Sequence, residues 1–246
     1  MSEPIGSNNP RIQQLRRLSG RRSARVEEGL FLVEGPTLVA EAVAAGWPLD
    51  AVYVEESALS LLPAGVRPTI VRDGVLVKVM TVDAPRPIVA AAVLRSLPLP
   101  SNATFVIVGA GLSDPGNLGT ILRTAEASGA DGVVLTEGSV DPFSPKVVRA
   151  SAGAIFRMPV VLDVDPHTLG LALWGTAATG GVTYDQADLV APLALVMGNE
   201  AHGLPTDVVL DGLLTIPHVG RAESLNVAMA AAVLCFEVAR QRRRSL

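Results

Sequence analysis

The sequence predicts a protein of the α/β class, and three observations indicate it. Hydrophobic residues make up 49% of the 246 residues, which is enough for a substantial core. Aromatic residues account for only 4%, so Val, Leu, Ile and Ala must build this core, as is typical of parallel strands covered by helices. Short, fully apolar runs also alternate with helical patterns along the chain.

The first part of the chain, residues 11–97, is predicted to form a small α/β unit. A basic helix precedes a strand at 30–33, a helix follows over 36–45, and a second strand covers 51–54. Two prolines in the stretch LPLPSN, residues 97–102, then interrupt regular structure. We therefore expect an N-terminal domain over residues 1–97 and a C-terminal domain over residues 103–246.

The second part begins with a β-α-β unit: a strand at 104–108, a helix from about Asn117 to Ser128 closed by Gly129, and a strand at 133–135. Apolar runs at 171–174, 193–197 and 213–216 predict further strands that are covered on both faces. A largely apolar helix over residues 225–240 ends the pattern. Its apolar side chains spread too widely around the axis for a helix that packs on one sheet face only.

The charge distribution is uneven. The formal net charge is −4, yet arginines cluster near both ends of the chain. Such clusters predict local contacts with phosphates, although solvated ends are the simpler interpretation. The C-terminal cluster consists of Arg240, Arg242, Arg243 and Arg244. The N-terminal cluster consists of Arg11, Arg16, Arg17, Arg21, Arg22 and Arg25.

The single cysteine, Cys235, falls within the apolar helix pattern and excludes an intramolecular disulfide, as is typical of a reducing compartment. The N-terminal segment has no apolar leader, and the longest apolar run, residues 227–236, is too short to span a bilayer. We therefore expect a soluble, cytoplasmic protein with no membrane partner.

In a parallel sheet, ligands bind beyond the carboxyl ends of the strands, and three loops at such positions are rich in polar residues and glycine. Their sequences are GAGLSDPGNLGTILRTAEASG (109–129), GNEAHGLP (198–205) and PHVGRAESLN (217–226). The first loop starts like a nicotinamide dinucleotide fingerprint, but Asp114 stands where that turn needs its third glycine. A nicotinamide enzyme stays as an alternative.

Several polar residues of these loops have simple structural interpretations. Asn117 is placed to cap its helix, Arg123 is placed to pair with Glu126, and Ser224 is placed to cap the last helix. A zinc site at Glu200, His202 and His218 is a further alternative. Their spacing matches no zinc ligand pattern, so we expect no metal.

Taken together, the three loops resemble the three motifs of the SpoU (TrmH) family of RNA ribose methyltransferases. The stretches that carry the resemblance are DPGNLGTILRTAEASGADGVVL, LVMGNEAHGLP and IPHVGRAESLNVAMAAAVLCFEVARQ, in the order and spacing of the family. The linking stretch FSPKVVRASAGAIFRMPV is also similar, so the resemblance covers about residues 104–242. Residues 11–97, with FLVEGPTLVAEAV, resemble the L30e-like domain with which many members bind their substrate.

The resemblance implies a SPOUT-type α/β fold, with a parallel sheet and a deep C-terminal trefoil knot that forms the pocket for S-adenosylmethionine. It also implies a homodimer in which the last helix contributes to the interface. In this family an apolar residue usually stands where His218 lies, and the position of His202 varies. The implied cofactor-binding residues are Met197, Gly198, Asn199, Gly203, Ile216, Pro217, His218, Gly220, Leu225 and Asn226.

The resemblance further implies methyl transfer to a ribose 2′-hydroxyl in RNA. Arg123 would act either as a base that shares its proton with an RNA phosphate, or as a clamp on that phosphate that stabilises a developing alkoxide. Asn117 would position Arg123 or the ribose, Glu200 would brace its loop, and Ser224 and Asn226 would hold the hydroxyl and the cofactor.

The RNA is predicted to be ribosomal, from the large subunit. Transfer RNA is an alternative, and a non-catalytic RNA-binding module is an alternative of another class. The predicted RNA contacts are the six N-terminal arginines with Lys146 and Arg149 of the linking stretch.

Overall fold

The structure of the chain is a computed structural model that describes residues 3–82, 85–221 and 223–244. The chain forms two compact units. The first unit consists of Met1–Arg95 with Phe143–Phe156, and the second of Ser96–Pro142 with Arg157–Leu246. The segment Phe143–Phe156, which the sequence places within the C-terminal domain, therefore groups with the first unit.

The first unit contains a mixed four-stranded sheet with the strand order β1-β4-β2-β3. Strand β4 is antiparallel to β1 and β2, whereas β2 and β3 are parallel. Short 3-10 helices cover Glu56–Leu61 and Leu76–Lys78. The main elements are α1 (Pro10–Gly20), α2 (Arg22–Glu28), β1 (Leu30–Glu34), α3 (Pro36–Ala44), β2 (Leu49–Glu55), β3 (Pro68–Val71) and β4 (Ile88–Val93).

Helix α1 illustrates why these residues form these elements. Asn9 accepts the N–H of Arg11 at 3.0 Å, and Pro10 follows at the first helical position, where its missing N–H costs nothing. Ile12, Leu15 and Leu18 recur every three residues and are fully buried. They pack in the core of the first unit with Leu32, Tyr53 and Leu76, among others.

The second unit contains a seven-stranded sheet with the order β7-β6-β5-β10-β8-β11-β9, in which all neighbouring strands are parallel. The α/β class with a parallel sheet is thus confirmed, while the trefoil knot stays a prediction. After β6 the chain returns to the first unit for α5 (Pro145–Ala150). The elements of the second unit are β5 (Phe105–Gly109), α4 (Pro115–Ser128), β6 (Gly132–Leu135), β7 (Val160–Leu162), β8 (Ala172–Ala177), β9 (Val182–Thr183), β10 (Leu193–Met197), β11 (Gly212–Thr215) and α6 (Val227–Arg244).

The expectation that every apolar strand is covered on both faces is only partly right. All residues of β5, β6 and β10 are buried, but β8 and β11 are buried at only some positions. The physical reason is the location of these two strands, because they lie toward the sheet edge that ends at the two-residue strand β9.

Two predicted helix caps are wrong. Helix α4 begins at Pro115, and the cap is Asp114, whose Oδ1 accepts the N–H of Asn117 at 2.9 Å. Helix α6 begins at Val227, and the side chain of Asn226, not that of Ser224, accepts the first free N–H groups of the helix. The prediction that Gly129 closes α4 is confirmed, because Gly129 has a left-handed backbone with φ of 78°.

Helix α6 packs along α4 and buries one face in the second unit. Cys235 lies in this buried face, and burial raises the pKa of its thiol to about 12. At the end of the helix, Arg242 donates to the carbonyl oxygens of Thr104 at 2.9 Å and Ala191 at 3.0 Å. This arginine of the C-terminal cluster thus has a structural role.

Within the described ranges, no helix has the length and hydrophobicity that a membrane span requires.

Candidate functional site

A cavity of about 620 Å³ lies in the second unit, where strands β8, β10 and β11 end. This is the edge at which a parallel sheet presents its loops to ligands. Its walls are largely apolar, with a few polar side chains among them. The lining residues are Thr176, Ala177, Ala178, Met197, Gly198, Asn199, Glu200, Gly203, Leu204, Leu213, Leu214, Ile216, His218, Ser224, Leu225, Asn226, Val227, Ala230 and Leu234.

The cavity brings together most of the residues that were predicted to bind the cofactor. Met197, Gly198, Asn199, Gly203, Ile216, His218, Leu225 and Asn226 line it, whereas Pro217 and Gly220 do not. Sequence reasoning missed the wall formed by Thr176, Ala177 and Ala178. The signal was present, because the glycine-rich stretch GTAATGG follows the apolar run of β8 just as the three recognised loops follow theirs.

The loop after β10 is held in one compact conformation. Asn199 and Gly203 exchange backbone hydrogen bonds of 2.8 and 2.9 Å, and Asn199 Nδ2 donates to the carbonyl of Gly111 at 2.7 Å. Gly198 must be glycine, because a Cβ there would lie 2.4 Å from the carbonyl carbon of Gly203 and 2.6 Å from the amide nitrogen of Leu204. The backbone of this loop therefore forms a fixed wall of the cavity.

Glu200 projects from this loop toward the start of α4. Its Oε2 accepts the N–H of Ser113 at 3.0 Å and the Ser113 hydroxyl at 2.7 Å. Its Oε1 accepts the N–H of Asp114 at 3.1 Å and Asn117 Nδ2 at 2.9 Å. Partial burial by itself raises the pKa of the Glu200 carboxyl, but the hydrogen bonds from Asn117 and Ser113 outweigh it and lower the pKa to about 2. The Glu200 carboxylate is therefore ionised at neutral pH and held in place by these hydrogen bonds.

Asn117 links the first loop to both the second and the third. Its Nδ2 donates to Glu200, and its Oδ1 accepts Asn226 Nδ2 at 2.9 Å. Asn226 Oδ1 in turn accepts the N–H groups of Ala228 at 2.9 Å and Met229 at 3.3 Å. Glu200, Asn117 and Asn226, three of the five predicted catalytic residues, thus form one hydrogen-bonded chain.

The other two predicted catalytic residues, Arg123 and Ser224, are exposed. Arg123 makes no ion pair or hydrogen bond through its side chain with any residue that the structure describes, and Glu126 pairs with Arg157 instead. Ser224 lines the cavity, and its hydroxyl likewise has no partner in the described part of the chain. Both groups are available to a ligand.

The predicted RNA contacts lie in the first unit and fall into two sets. Arg11, Arg21 and Arg22 are exposed, Arg16 is half-buried, and Lys146 is exposed on α5. These residues retain surface from which they could reach a phosphate.

The second set has structural partners. Arg17 pairs with Glu28 at 2.9 Å. Arg149 pairs at 3.1 Å with Glu34, whose side chain is only 2% exposed. Arg25 is 4% exposed and donates to the carbonyl of Leu18 at 2.6 Å. Arg25 therefore offers little surface to a phosphate, and Arg149 neutralises a buried carboxylate, while their assignment to RNA stays a prediction.

The three residues of the zinc alternative point to different partners. Glu200 accepts hydrogen bonds from Ser113 and Asn117, His202 Nδ1 lies 3.0 Å from Asn199 Oδ1, and His218 lines the cavity. No cluster of three or more His, Cys, Asp or Glu residues suited to a metal ion occurs within residues 3–82, 85–221 and 223–244.

Comparison with known proteins identifies two families of domain. A model of the SpoU rRNA Methylase family matches residues 104–236. A model of the MRM3-like substrate binding domain matches residues 9–90. The first match covers the strands, helices and loops that form the cavity.

Relatives match nearly the whole chain. The chain is 31% identical to the 23S rRNA (guanosine(2553)-2′-O)-methyltransferase RlmP of Bacillus subtilis, over 97% of this chain and 99% of that protein. It is also 31% identical to the 23S rRNA (uridine(2479)-2′-O)-methyltransferase of Streptomyces viridochromogenes, over 97% of this chain and 92% of that protein.

Solved structures agree with these matches. The SpoU methyltransferase AviRb of Streptomyces viridochromogenes, crystallised with its cofactor AdoMet, aligns with a TM-score of 0.86 at 29% identity, over 96% of this chain and 99% of that chain. An AdoMet-bound rRNA methyltransferase of Sinorhizobium meliloti aligns with a TM-score of 0.84 at 31% identity, over 99% of this chain and 98% of that chain. The resemblance seen in the three motifs is thus confirmed, and the chain belongs to the SpoU rRNA methylase family.

Proposed function

We propose that this protein transfers a methyl group from S-adenosylmethionine to the 2′-hydroxyl of a nucleotide in ribosomal RNA of the large subunit. The observation that carries the proposal is the cavity at the ends of β8, β10 and β11. Residues of the second and third motif loops line it, and Asn117 of the first motif is hydrogen-bonded to its rim through Glu200 and Asn226.

The cavity suits the methyl donor in size and character. A volume of about 620 Å³ lies within the range of small-molecule sites, and its apolar walls can cover the adenine ring and the alkyl chain of the donor. The hydroxyl of Ser224, which has no partner in the described part of the chain, is placed to bind a polar group of the donor, whereas the side chains of Thr176 and Asn199 donate to the carbonyls of Val196 and Gly111. The AdoMet-bound structures of AviRb and of the Sinorhizobium meliloti enzyme support the same donor here.

The chemistry requires the nucleophile to be activated. As the bond from the ribose oxygen to the methyl carbon forms, the bond from carbon to sulfur breaks, and the hydroxyl proton must leave. Arg123 is the group we assign to the ribose side, because its guanidinium is exposed and unpartnered among the described residues. It acts as a base once an RNA phosphate shares its proton, or it clamps that phosphate and stabilises the developing alkoxide.

Ribosomal RNA is favoured over transfer RNA as the substrate. The relatives from Bacillus subtilis and Streptomyces viridochromogenes are named 23S rRNA methyltransferases. Residues 1–97 would bind the RNA, in agreement with the substrate-binding family model over residues 9–90. We assign the phosphate contacts to Arg11, Arg16, Arg21 and Arg22, and the place of action to the cytoplasm, where ribosomal RNA is methylated.

We further propose that the protein is a homodimer. Helix α6 leaves an apolar stripe exposed, with Met229 at 64%, Val233 at 37% and Phe236 at 46% exposure. These positions, spaced four and three residues apart, share one face, while the opposite face packs on α4. A second copy of the same helix would cover the stripe.

The experiment that tests the function combines binding with mapping. Calorimetry should detect S-adenosylmethionine but not NAD, and deletion of the gene should remove one 2′-O-methyl group from 23S RNA. Binding of NAD instead would favour the nicotinamide enzyme, and binding of neither compound would favour the non-catalytic RNA-binding module. A methyl group lost from transfer RNA alone would favour the alternative substrate.

A further inference from the structure

The hydrogen-bonded chain from the start of α6 through Asn226 and Asn117 to Glu200 has a single donor direction, and Ser113 donates to Glu200 from the other side. The Ser113 hydroxyl and Asn117 Nδ2 donate to Glu200, and Asn226 Nδ2 donates to Asn117. The N–H of Ala228 then donates to Asn226 Oδ1. Every link is between 2.7 and 2.9 Å long.

Both ends of the chain require this direction independently. An ionised carboxylate only accepts, so Asn117 must turn its NH2 group toward Glu200 and its oxygen toward Asn226. The free N–H groups at the start of a helix only donate, so Asn226 must turn its oxygen toward Ala228 and its NH2 group toward Asn117. The two amides therefore have one consistent orientation.

We propose that Glu200 is a positioning residue whose charge, held by Ser113, orients both amides and thereby caps α6 at the floor of the donor cavity. Leu225, Asn226 and Val227, which line that floor, are fixed by this cap. Arg123 and Ser224 are then the groups that contact the substrate, because the amides are occupied by protein partners. The link to methyl transfer rests on the proposed function, whereas the orienting role does not.

The direction of these hydrogen bonds allows a test in which substitutions move the carboxylate from position 200 to position 226. In Glu200→Gln, we expect the remaining oxygen to stay with Ser113, whose bonds of 3.0 and 2.7 Å are the shorter pair. The new NH2 group then faces Asn117 and the N–H of Asp114, which loses its acceptor. Asn117 flips in response, and Asn226 turns its own NH2 group toward the helix.

In Asn226→Asp, the new carboxylate faces the oxygen of Asn117. The Asn117 amide cannot flip to relieve this repulsion, because its NH2 group must keep donating to Glu200. In the double variant, the hydrogen bonds run in the opposite direction and every donor again faces an acceptor. The carboxylate introduced at position 226 caps the helix and accepts from the flipped Asn117, whose oxygen accepts from the residue at position 200.

We expect amide hydrogen exchange at Ala228 and Met229 to become about fivefold faster in Glu200→Gln, as for loss of a helix cap of typical strength. In Asn226→Asp the increase should be smaller, because Asp is as good a cap as Asn and only its repulsion from the Asn117 oxygen weakens the cap. In the double variant the exchange should return to within about twofold of wild type, a coupling that independent sites do not produce. Ile107 in the fully buried strand β5 serves as the reference, because we expect its exchange to require global unfolding. Ser113→Thr, which keeps a hydroxyl, should preserve the protection that Ser113→Ala weakens.

Donor binding is measured on the same proteins. It should weaken in both single variants and recover in the double variant. The proposal is overturned if Glu200→Gln protects Ala228 and Met229 as wild type does, if the loss is equal at Ile107, or if the double variant is no better than either single one. A wild-type protein that shows the exchange pattern but binds no S-adenosylmethionine would contradict the proposed function and leave the orienting role supported.

Discussion

Arg123 differs from neighbouring arginines in having no partner among the described residues, whereas carboxylates hold Arg157 and Arg240. We predict that Arg123→Ala reduces methyl transfer at least about a hundredfold, the usual effect of removing one group that stabilises developing charge. Donor binding should stay nearly unchanged, and stability should change by no more than about 0.5 kcal/mol, because no contact is lost. Single-turnover assays and calorimetry measure these quantities.

Arg123→Lys should fail as well, because an ammonium cannot reproduce the planar, two-pronged contact of a guanidinium with a phosphate. Arg157→Ala is the matched control, since it removes an arginine that contacts the same helix through Glu126, and it should retain transfer. A near wild-type rate for Arg123→Ala would remove this residue from the mechanism.

Glu200 gives a prediction for pH. The pKa of its carboxyl falls to about 2 in the folded protein, below the usual value of about 4.3. Its ionisation therefore stabilises the folded protein above about pH 4, and this stabilisation is lost as the pH falls toward 2. At pH 7 the free energy of unfolding of the wild-type protein should exceed that of Glu200→Gln by about 1 kcal/mol. The value is modest because solvent screens the charge of an exposed residue.

Denaturant unfolding of both proteins at pH 7, 4 and 3 measures this difference, which should shrink toward the lowest pH. A difference that is the same at pH 7 and pH 3 would contradict the low pKa. If the affinity for S-adenosylmethionine falls between pH 7 and pH 5, the same fall should occur in Glu200→Gln, because the Glu200 carboxyl does not titrate in that range.

At the scale of elements, the loop after β10 tests whether a rigid backbone shapes the cavity. Gly198→Ala should abolish donor binding, because its Cβ would lie 2.4 Å from the backbone of Gly203, which has no flexible side chain to move away. Gly20→Ala at the end of α1 is the control, since nothing lies within 4 Å of a Cβ there and the residue is outside the cavity. Equal binding by both variants would contradict the fixed wall.

The junction of α1 and α2 tests the RNA contacts. The double variant Arg21→Ala with Arg22→Ala should weaken RNA binding, and the slope of log K against log salt should fall by about 1.5, since each lost phosphate contact removes about 0.7 to 0.9. Arg67→Ala, which removes an exposed arginine elsewhere in the same unit, should leave the slope unchanged. An unaltered slope in the double variant would mean that these arginines are only solvated.

The sequence predicted strands and helices well where apolar period and flanking residues agree, as for β10 and α4. It misplaced caps, because Asp114 and Asn117, or Ser224 and Asn226, are all good caps within three residues of each other. The side chain that caps is chosen by contacts from distant loops. Asn117 is engaged by Glu200 and Asn226, which lie 83 and 109 residues away.

The sequence also does not distinguish arginines with structural partners from arginines that are available to RNA. Arg25 and Arg149 look like their basic neighbours in the sequence, and only the folded chain places one beneath α1 and the other beside the buried Glu34. The meeting of the motif residues was easier to predict, because their loops all follow strands of one parallel sheet and therefore lie at one edge of it. The wall at Thr176 follows this rule and was overlooked because its loop carries no charged residue.

For the whole molecule, the exposed stripe on α6 predicts that the protein is a dimer at micromolar concentration. Phe236→Asp should convert it to a monomer, because a charge would be buried without a partner at the interface. Arg243→Glu, a charge change at an exposed position of the same helix, is the matched control. Sedimentation velocity measures the state of both.

Methyl transfer by the Phe236→Asp monomer decides whether the site needs both subunits. We expect the monomer to lose activity, since Arg123 lies on α4, against which α6 packs, and a partner helix would border the same region. A fully active monomeric wild type would contradict both the dimer and a shared site.

The buried thiol of Cys235 makes the natural protein suitable for site-directed labelling. It is the one cysteine of the chain, and a protonated, enclosed thiol reacts slowly with maleimides. A cysteine introduced at an exposed position, as in Arg67→Cys, would therefore take up the label without prior removal of the native residue. In a homodimer each subunit then carries one probe, so a single spin–spin distance would report how the two copies are arranged, with and without RNA.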